Sequence, residues 1–132
     1  MGIAAMLGSP IKRREDPRLI TGQSTYVDDI KIPGMLHMAV VRSPYGHARI
    51  NSINADAARK HPGVVAVYTA EDLKGAVGNV AIAVPLGKIA EGMGARGALA
   101  DGKVRFYGDP VAVVIAEDLY TARDARDLVE VD

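Results

Sequence analysis

Apolar positions along the chain fall into short blocks divided by glycine and proline, and the blocks differ in period. Met35 to Val41 is nearly all apolar and Val111-Ala112-Val113-Val114-Ile115 wholly so. Runs of that length predict strands covered on both faces, the second in the middle of a sheet. Val64-Val65-Ala66-Val67-Tyr68 is rich in β-branched residues and predicts a third strand. Shorter strands are expected at Tyr26 to Ile30, at Ile50 to Ile53 and at Val104 to Tyr107. Ile32-Pro33-Gly34 forms a turn between strands, since proline fixes φ and glycine accepts a positive one. Arg42-Ser43-Pro44-Tyr45-Gly46 and Gly108-Asp109-Pro110 are further breaks.

Two stretches read as helices. Over 55–61, Asn54 can cap, Asp56 suits the positive end of the dipole, and Arg59, Lys60 and His61 suit the negative end before Pro62-Gly63 stops the helix. From Leu119, with Asp118 as cap, Leu119, Ala122, Ala125 and Val129 recur at near-helical spacing. The first 25 residues hold the charge cluster Lys12-Arg13-Arg14-Glu15-Asp16 with Pro17 and Gly22, and suggest an exposed, extended lead-in with a short turn. Residues 75–102 contain seven glycines among scattered apolar positions and suggest a long irregular loop. Val129-Glu130-Val131-Asp132 alternates as a strand just begun, so the polypeptide reads as a piece of something longer.

Composition narrows the functional classes. At 132 residues and 48% hydrophobic content the chain should form one core of α+β type. Sixteen basic side chains against sixteen acidic ones provide no broad positive field for nucleic acid. With no cysteine, the chain offers no disulfide, iron–sulfur ligation, cysteine-ligated zinc or thiol nucleophile. The opening lacks the basic start of an export signal and no stretch is long and apolar enough to span a membrane, so a cytoplasmic protein is expected.

Candidate chemistry is sparse. Gly92-Met93-Gly94-Ala95-Arg96-Gly97, with Glu117 twenty residues on, has the letters of a dinucleotide fingerprint. It lacks the preceding apolar strand and the helix that must open at the glycines, and reads as loop. His37, His47 and His61 are too scattered for a metal set. The neighbouring carboxylates Asp28-Asp29, Glu71-Asp72 and Glu117-Asp118 suit turns and caps, and neither Ser24 nor Ser43 has an indicated base. No catalytic, cofactor-binding or metal residue is expected within the chain. Arg13 and Arg14 in the charged lead-in are interface candidates, because mixed charges can fix register across an interface.

Taken in order, several segments resemble the large-subunit family of molybdenum hydroxylases, which includes xanthine dehydrogenase, aldehyde oxidase and carbon monoxide dehydrogenase. They are Ile11 to Gly22, Tyr26-Val27-Asp28-Asp29-Ile30, Arg42-Ser43-Pro44 with His47-Ala48-Arg49-Ile50, Pro62 to Val67 with Glu71-Asp72-Leu73, Val104 to Ala116, and Leu128 to Asp132. The Arg-x-Glu-Asp lead-in looks closer to bacterial carbon monoxide dehydrogenase type subunits than to animal xanthine dehydrogenases. Ser24, where relatives often have glycine, and Tyr45-Gly46, in place of a more usual His-Ala, depart from the pattern.

The resemblance implies an α/β hammerhead, a mixed β-sheet with two main helices, over 26–132 and ending within its last strand. It implies an N-terminal structural and docking role in a molybdopterin enzyme that oxidises carbon monoxide, an aldehyde or a heterocycle such as xanthine with water as oxygen source. Arg42, Ser43, Tyr45 and His47 in one turn, and Gly108 and Asp109 in another, are interface candidates by this resemblance alone. Molybdopterin, and the iron–sulfur and flavin groups of partner subunits or domains, would lie outside this chain, which alone would be inactive. Two other readings stay open from the residues: a free-standing small-molecule-binding module closing loop 75–102 over a ligand, and, less supported, an autonomous enzyme.

Overall fold

The structure is a computed structural model and describes residues 8, 10–79 and 96–132. The chain separates into two compact units, Met1–Gly34 and Met35–Asp132.

In the first unit the lead-in is not wholly extended. It contains a five-residue helix, α1 (Asp16–Ile20), opened by Pro17, whose missing N–H costs nothing in the first turn. The strand expected at Tyr26 to Ile30 is instead a 3₁₀ turn over Val27–Asp29. The Asp29 carboxylate accepts the Tyr26 N–H at 2.9 Å, while the Asp29 N–H donates to the Tyr26 carbonyl at 3.0 Å. A short acidic side chain that bonds its own backbone competes with strand pairing, and here it wins.

The second unit is built on a three-stranded antiparallel sheet of order β1–β6–β4, with β1 at His37–Arg42, β4 at Val64–Thr69 and β6 at Pro110–Ala116. Two small antiparallel pairs accompany it: β2 (Ala48–Arg49) with β5 (Lys103–Val104), and β3 (Ile53–Asn54) with β7 (Glu130–Val131). The α+β class is thus as expected, and the sheet is divided into three antiparallel pieces among the described residues. β6 is central, as its unbroken apolar run predicts, and Val111, Ala112, Val114 and Ala116 are buried.

β1 departs from expectation. Among the described residues it is paired on one side only, Ala39 is its sole buried residue, and Met38 is 59% exposed, so the apolar run marks a sheet edge and not a strand covered on both faces. The run predicted at Val104 to Tyr107 pairs only through Lys103–Val104, because the Arg105 N–H is taken by the Asp109 side chain. At the chain's last residues, the alternating segment is paired: β7 lies against β3, and the Asn51 N–H donates to the Asp132 carbonyl at 2.7 Å.

Helix α2 (Asp56–Arg59) is shorter than the expected 55–61, with Asn54 Oδ1 accepting the Asp56 N–H at 3.2 Å. Helix α3 (Leu119–Asp127) begins as read: the Asp118 carboxylate accepts the N–H groups of Tyr120 at 2.8 Å and Thr121 at 2.9 Å. The Thr121 hydroxyl and then its N–H hold that carboxyl below the usual aspartate range. Likewise the Asp72 carboxyl is lowered, first by the Thr69 N–H at 2.7 Å and then by the Thr69 hydroxyl at 2.8 Å, in the turn that ends β4.

The core between helices and sheet consists of small side chains. Ala58 from α2, Ala122 and Ala125 from α3, and Ala112, Val114 and Ala116 from β6 are fully buried. Alanines on both surfaces let the helices approach the strands closely, and so the packing tolerates little added volume.

Candidate functional site

Antiparallel pairing of β1 with β6 brings the turn that leaves β1 beside the turn that enters β6. The register shifts between Val41, opposite Ala112, and Arg42, opposite Pro110, where proline has no N–H for the ladder. Beyond that shift the two turns bond to each other directly. The Ser43 N–H donates to the Asp109 carbonyl at 3.0 Å, and the Gly108 N–H donates to the Ser43 carbonyl at 2.8 Å. Arg42 adds a bond from Nη1 to the Gly108 carbonyl at 2.9 Å. Gly108 sits at φ +86°, a conformation open to glycine and strained for other residues.

Asp109 holds this corner from within. It is completely buried, with one carboxylate oxygen accepting the Arg105 N–H at 2.9 Å and the other paired with the Arg96 guanidinium. Arg96 also lies over the Phe106 ring, 4.5 Å from its centroid, so one side chain satisfies the buried charge and braces an aromatic residue. Ser43, also buried, accepts the Tyr45 N–H at 3.0 Å and donates to the Tyr45 carbonyl at 3.1 Å, which uses its hydroxyl in turn geometry and leaves it no base to activate it.

Outward, the same turns present Tyr45 (66% exposed), Phe106 (41%) and Tyr107 (77%). A hollow of about 380 Å³ beside them is lined by Arg42, Tyr45, Arg49, Ile50 and Val104 among others. A fixed backbone that displays aromatic and arginine side chains suits protein recognition, because such anchors lose little freedom on binding.

Of the interface residues expected from sequence, Arg42, Ser43, Tyr45, Gly108 and Asp109 come together here, and His47 is exposed at the end of the first turn. Ser43 and Asp109 are buried and act by fixing the turns. Arg13 and Arg14 belong to the first unit, where Arg13 Nε pairs with Asp16 Oδ1 at 3.0 Å and Arg14 is exposed. Arg96 was not singled out by that reading except as a letter of a glycine motif. Its pairing joins residues 13 apart across an irregular stretch and leaves no periodic trace. Residues 92–95 of that motif, and 80–95 of the proposed ligand loop, lie outside the described residues.

Among the described residues no group of three or more histidine, aspartate or glutamate side chains could hold a metal ion. The buried polar groups of the corner are bonded to one another, so they offer no donor set to a pterin or a metal.

A family model described as "Aldehyde oxidase and xanthine dehydrogenase, a/b hammerhead domain" matches residues 21–132. The chain belongs to this family. The carbon monoxide dehydrogenase large chain of Hydrogenophaga pseudoflava is 49% identical over 127 residues, an alignment covering 90% of this chain and 14% of that protein. The gamma subunit of the 6-hydroxypseudooxynicotine dehydrogenase complex of Paenarthrobacter nicotinovorans is 43% identical, with 97% of this chain and 16% of that protein covered. Among solved structures, the Cu,Mo-CO dehydrogenase in its carbon monoxide reduced state superimposes with a TM-score of 0.76 at 44% identity, covering 95% of this chain and 15% of that one.

The hammerhead domain therefore spans about a seventh of the length of these relatives. Both turns of the corner fall inside the matched 21–132 region. No helix among the described residues is long and apolar enough to cross a membrane.

Proposed function

We propose that this hammerhead domain is the N-terminal structural and docking domain of the large subunit of a molybdopterin-dependent hydroxylase or dehydrogenase, of carbon monoxide, aldehyde or xanthine type. The observation that carries the reading is the corner itself, two turns bonded to each other over a buried Asp109, with Tyr45, Phe106 and Tyr107 left to solvent. A rigid aromatic surface with arginine beside it has the composition of an interface centre. The short share of its relatives that the domain spans supports the remaining domains of a larger subunit as partners, and the family resemblance adds iron–sulfur and flavin subunits to the proposal.

In this reading residues 1–25 are a lead-in arm that adds Arg13 and Arg14 to the contact, and 26–132 are the hammerhead proper. Molybdopterin supplies the oxidative chemistry elsewhere in the large subunit. The enzyme works in the cytoplasm, takes water as its oxygen source, and the 132-residue chain alone turns over nothing.

The test is to purify the product of the natural gene with the subunits that accompany it. Molybdenum and pterin are then measured, and dye-linked oxidation of carbon monoxide, xanthine and aldehydes is assayed. The expected outcome is molybdenum and pterin in the assembly, none in the 132-residue chain, and oxidation of at least one of these substrates. A product of the same length as this chain, free of metal and partners, would end the reading.

A further inference from the structure

On the outer side of the β2–β5 pair, like charges face each other. Arg49 lies directly opposite Lys103 in the antiparallel register, next to the pair Ala48 and Val104. The Ile50 N–H donates to the Gly102 carbonyl at 3.0 Å, which puts the hydrogen-bonded positions on either side and the Arg49–Lys103 pair at the narrow, non-hydrogen-bonded position where side chains come closest. Ala48, Ile50 and Val104 pack into a core cluster with Val111, so the alternation of a strand turns Arg49 and Lys103 outward together.

Further positive charge gathers there. Arg105 returns its Nη1 to within 3.5 Å of the Lys103 carbonyl. Among the described residues none of Arg49, Lys103 and Arg105 is in an ion pair. Acidic groups of this region are engaged elsewhere: Asp101 pairs with Lys74 at 3.6 Å, the buried Asp109 carboxylate with the Arg96 guanidinium and the Arg105 N–H, and Asp132 Oδ2 accepts from Asn51 Nδ2 at 3.2 Å. Directly opposed like charges weaken a sheet pair, and this pair is only two residues long on each strand. Such an arrangement works against folding of the domain alone, and it is relieved when anionic groups cover it.

We propose that the face formed by Arg49, Lys103 and Arg105 receives an acidic protein segment lying outside residues 1–132 of the same enzyme. The proposal rests on the docking reading and gives its partner a chemistry. Protein is favoured over nucleic acid because the chain as a whole is neutral and offers no broad positive field. The face borders the hollow beside Tyr45, since Arg49 lines it, so an acidic segment would join the aromatic contact at its rim.

A zero-length carbodiimide cross-link tests this in the natural assembly, because it joins an amine only to a carboxylate already in contact. Lys103 is expected to link to an aspartate or glutamate outside residues 1–132, and to be acetylated by an amine reagent far more slowly in the assembly than in the 132-residue chain. The variant Lys103→Glu should raise the Tm of the 132-residue chain, since it turns a repulsive pair into an attractive one, while the assembly carrying it dissociates at lower salt. A structural role for Lys103 alone would move both in the same direction.

An assembly that forms with Lys103 unlinked and acetylated as fast as in the isolated chain overturns the proposal and leaves the docking reading standing. Protection of Lys103 that disappears on nuclease treatment overturns the protein partner. A natural product with no further protein attached overturns both.

Discussion

Replacing Asp109 by alanine is expected to lower the unfolding free energy of the domain by about 3 kcal/mol, the largest loss from any single polar side chain among the described residues of the second unit. The carboxylate is fully buried and serves two donors at once, the Arg105 N–H and the Arg96 guanidinium. Its removal strands the backbone donor inside the turn and leaves Arg96 without its counter-charge. Arg96 is itself 42% exposed and can take up water, which holds the cost near the lower end for breaking a buried pair. Asp109→Asn keeps an acceptor for Arg105 and should lose less. Urea denaturation of the three proteins measures the order wild type, Asn, Ala. An alanine variant within experimental error of wild type would show that Asp109 does not hold the corner.

Gly63→Ala is expected to cost about 2 kcal/mol, from backbone strain and crowding together. Gly63 closes the turn between α2 and β4 at φ +81°, and a Cβ there would lie 3.1 Å from Thr121 Cγ2 on α3. The two contributions separate in the background Thr121→Ser, which removes the crowding methyl and keeps the hydroxyl that bonds Asp118. In that background Gly63→Ala should cost less, yet still remain destabilising because the positive φ is unchanged. Equal costs in both backgrounds would show that α3 yields at this contact and that the backbone alone sets the requirement for glycine. The Gly63 carbonyl also accepts the Glu117 N–H at 3.0 Å, so the turn ties the start of β4 to the end of β6 as well.

What the sequence disclosed follows from the physics of its signals. β6 was legible because a central strand is apolar without interruption, and α3 because Asp118 and the spacing of Ala122 and Ala125 mark a cap and a buried stripe. The turn at Gly63 was legible from Pro62-Gly63 for the same local reason. β1 was over-read: an apolar run shows that a segment meets other apolar surface, but not how many of its edges are paired. The strand expected at Tyr26 to Ile30 failed because Asp29 bonds back to Tyr26, a local contact that pattern alone does not weigh.

For the candidate site, the two turns could be named from their breaker residues, but their union could not. It depends on β1 lying antiparallel beside β6, and the partner of Asp109 comes from an irregular stretch with no period of its own. The opposition of Arg49 and Lys103 was hidden for the same reason, since both are unremarkable surface charges until the register places them face to face.

The measurement closest to the central claim is hydroxyl-radical footprinting of Tyr45 and Tyr107 in the natural assembly and in the 132-residue chain. Both rings are exposed in the domain itself, at 66% and 77%. If the corner docks onto a neighbour, their oxidation should fall several-fold in the assembly, while an exposed ring elsewhere on the domain, Tyr120 at 76%, provides the comparison within the same sample. Unchanged oxidation of Tyr45 and Tyr107 in an intact, molybdenum-containing assembly would contradict the account.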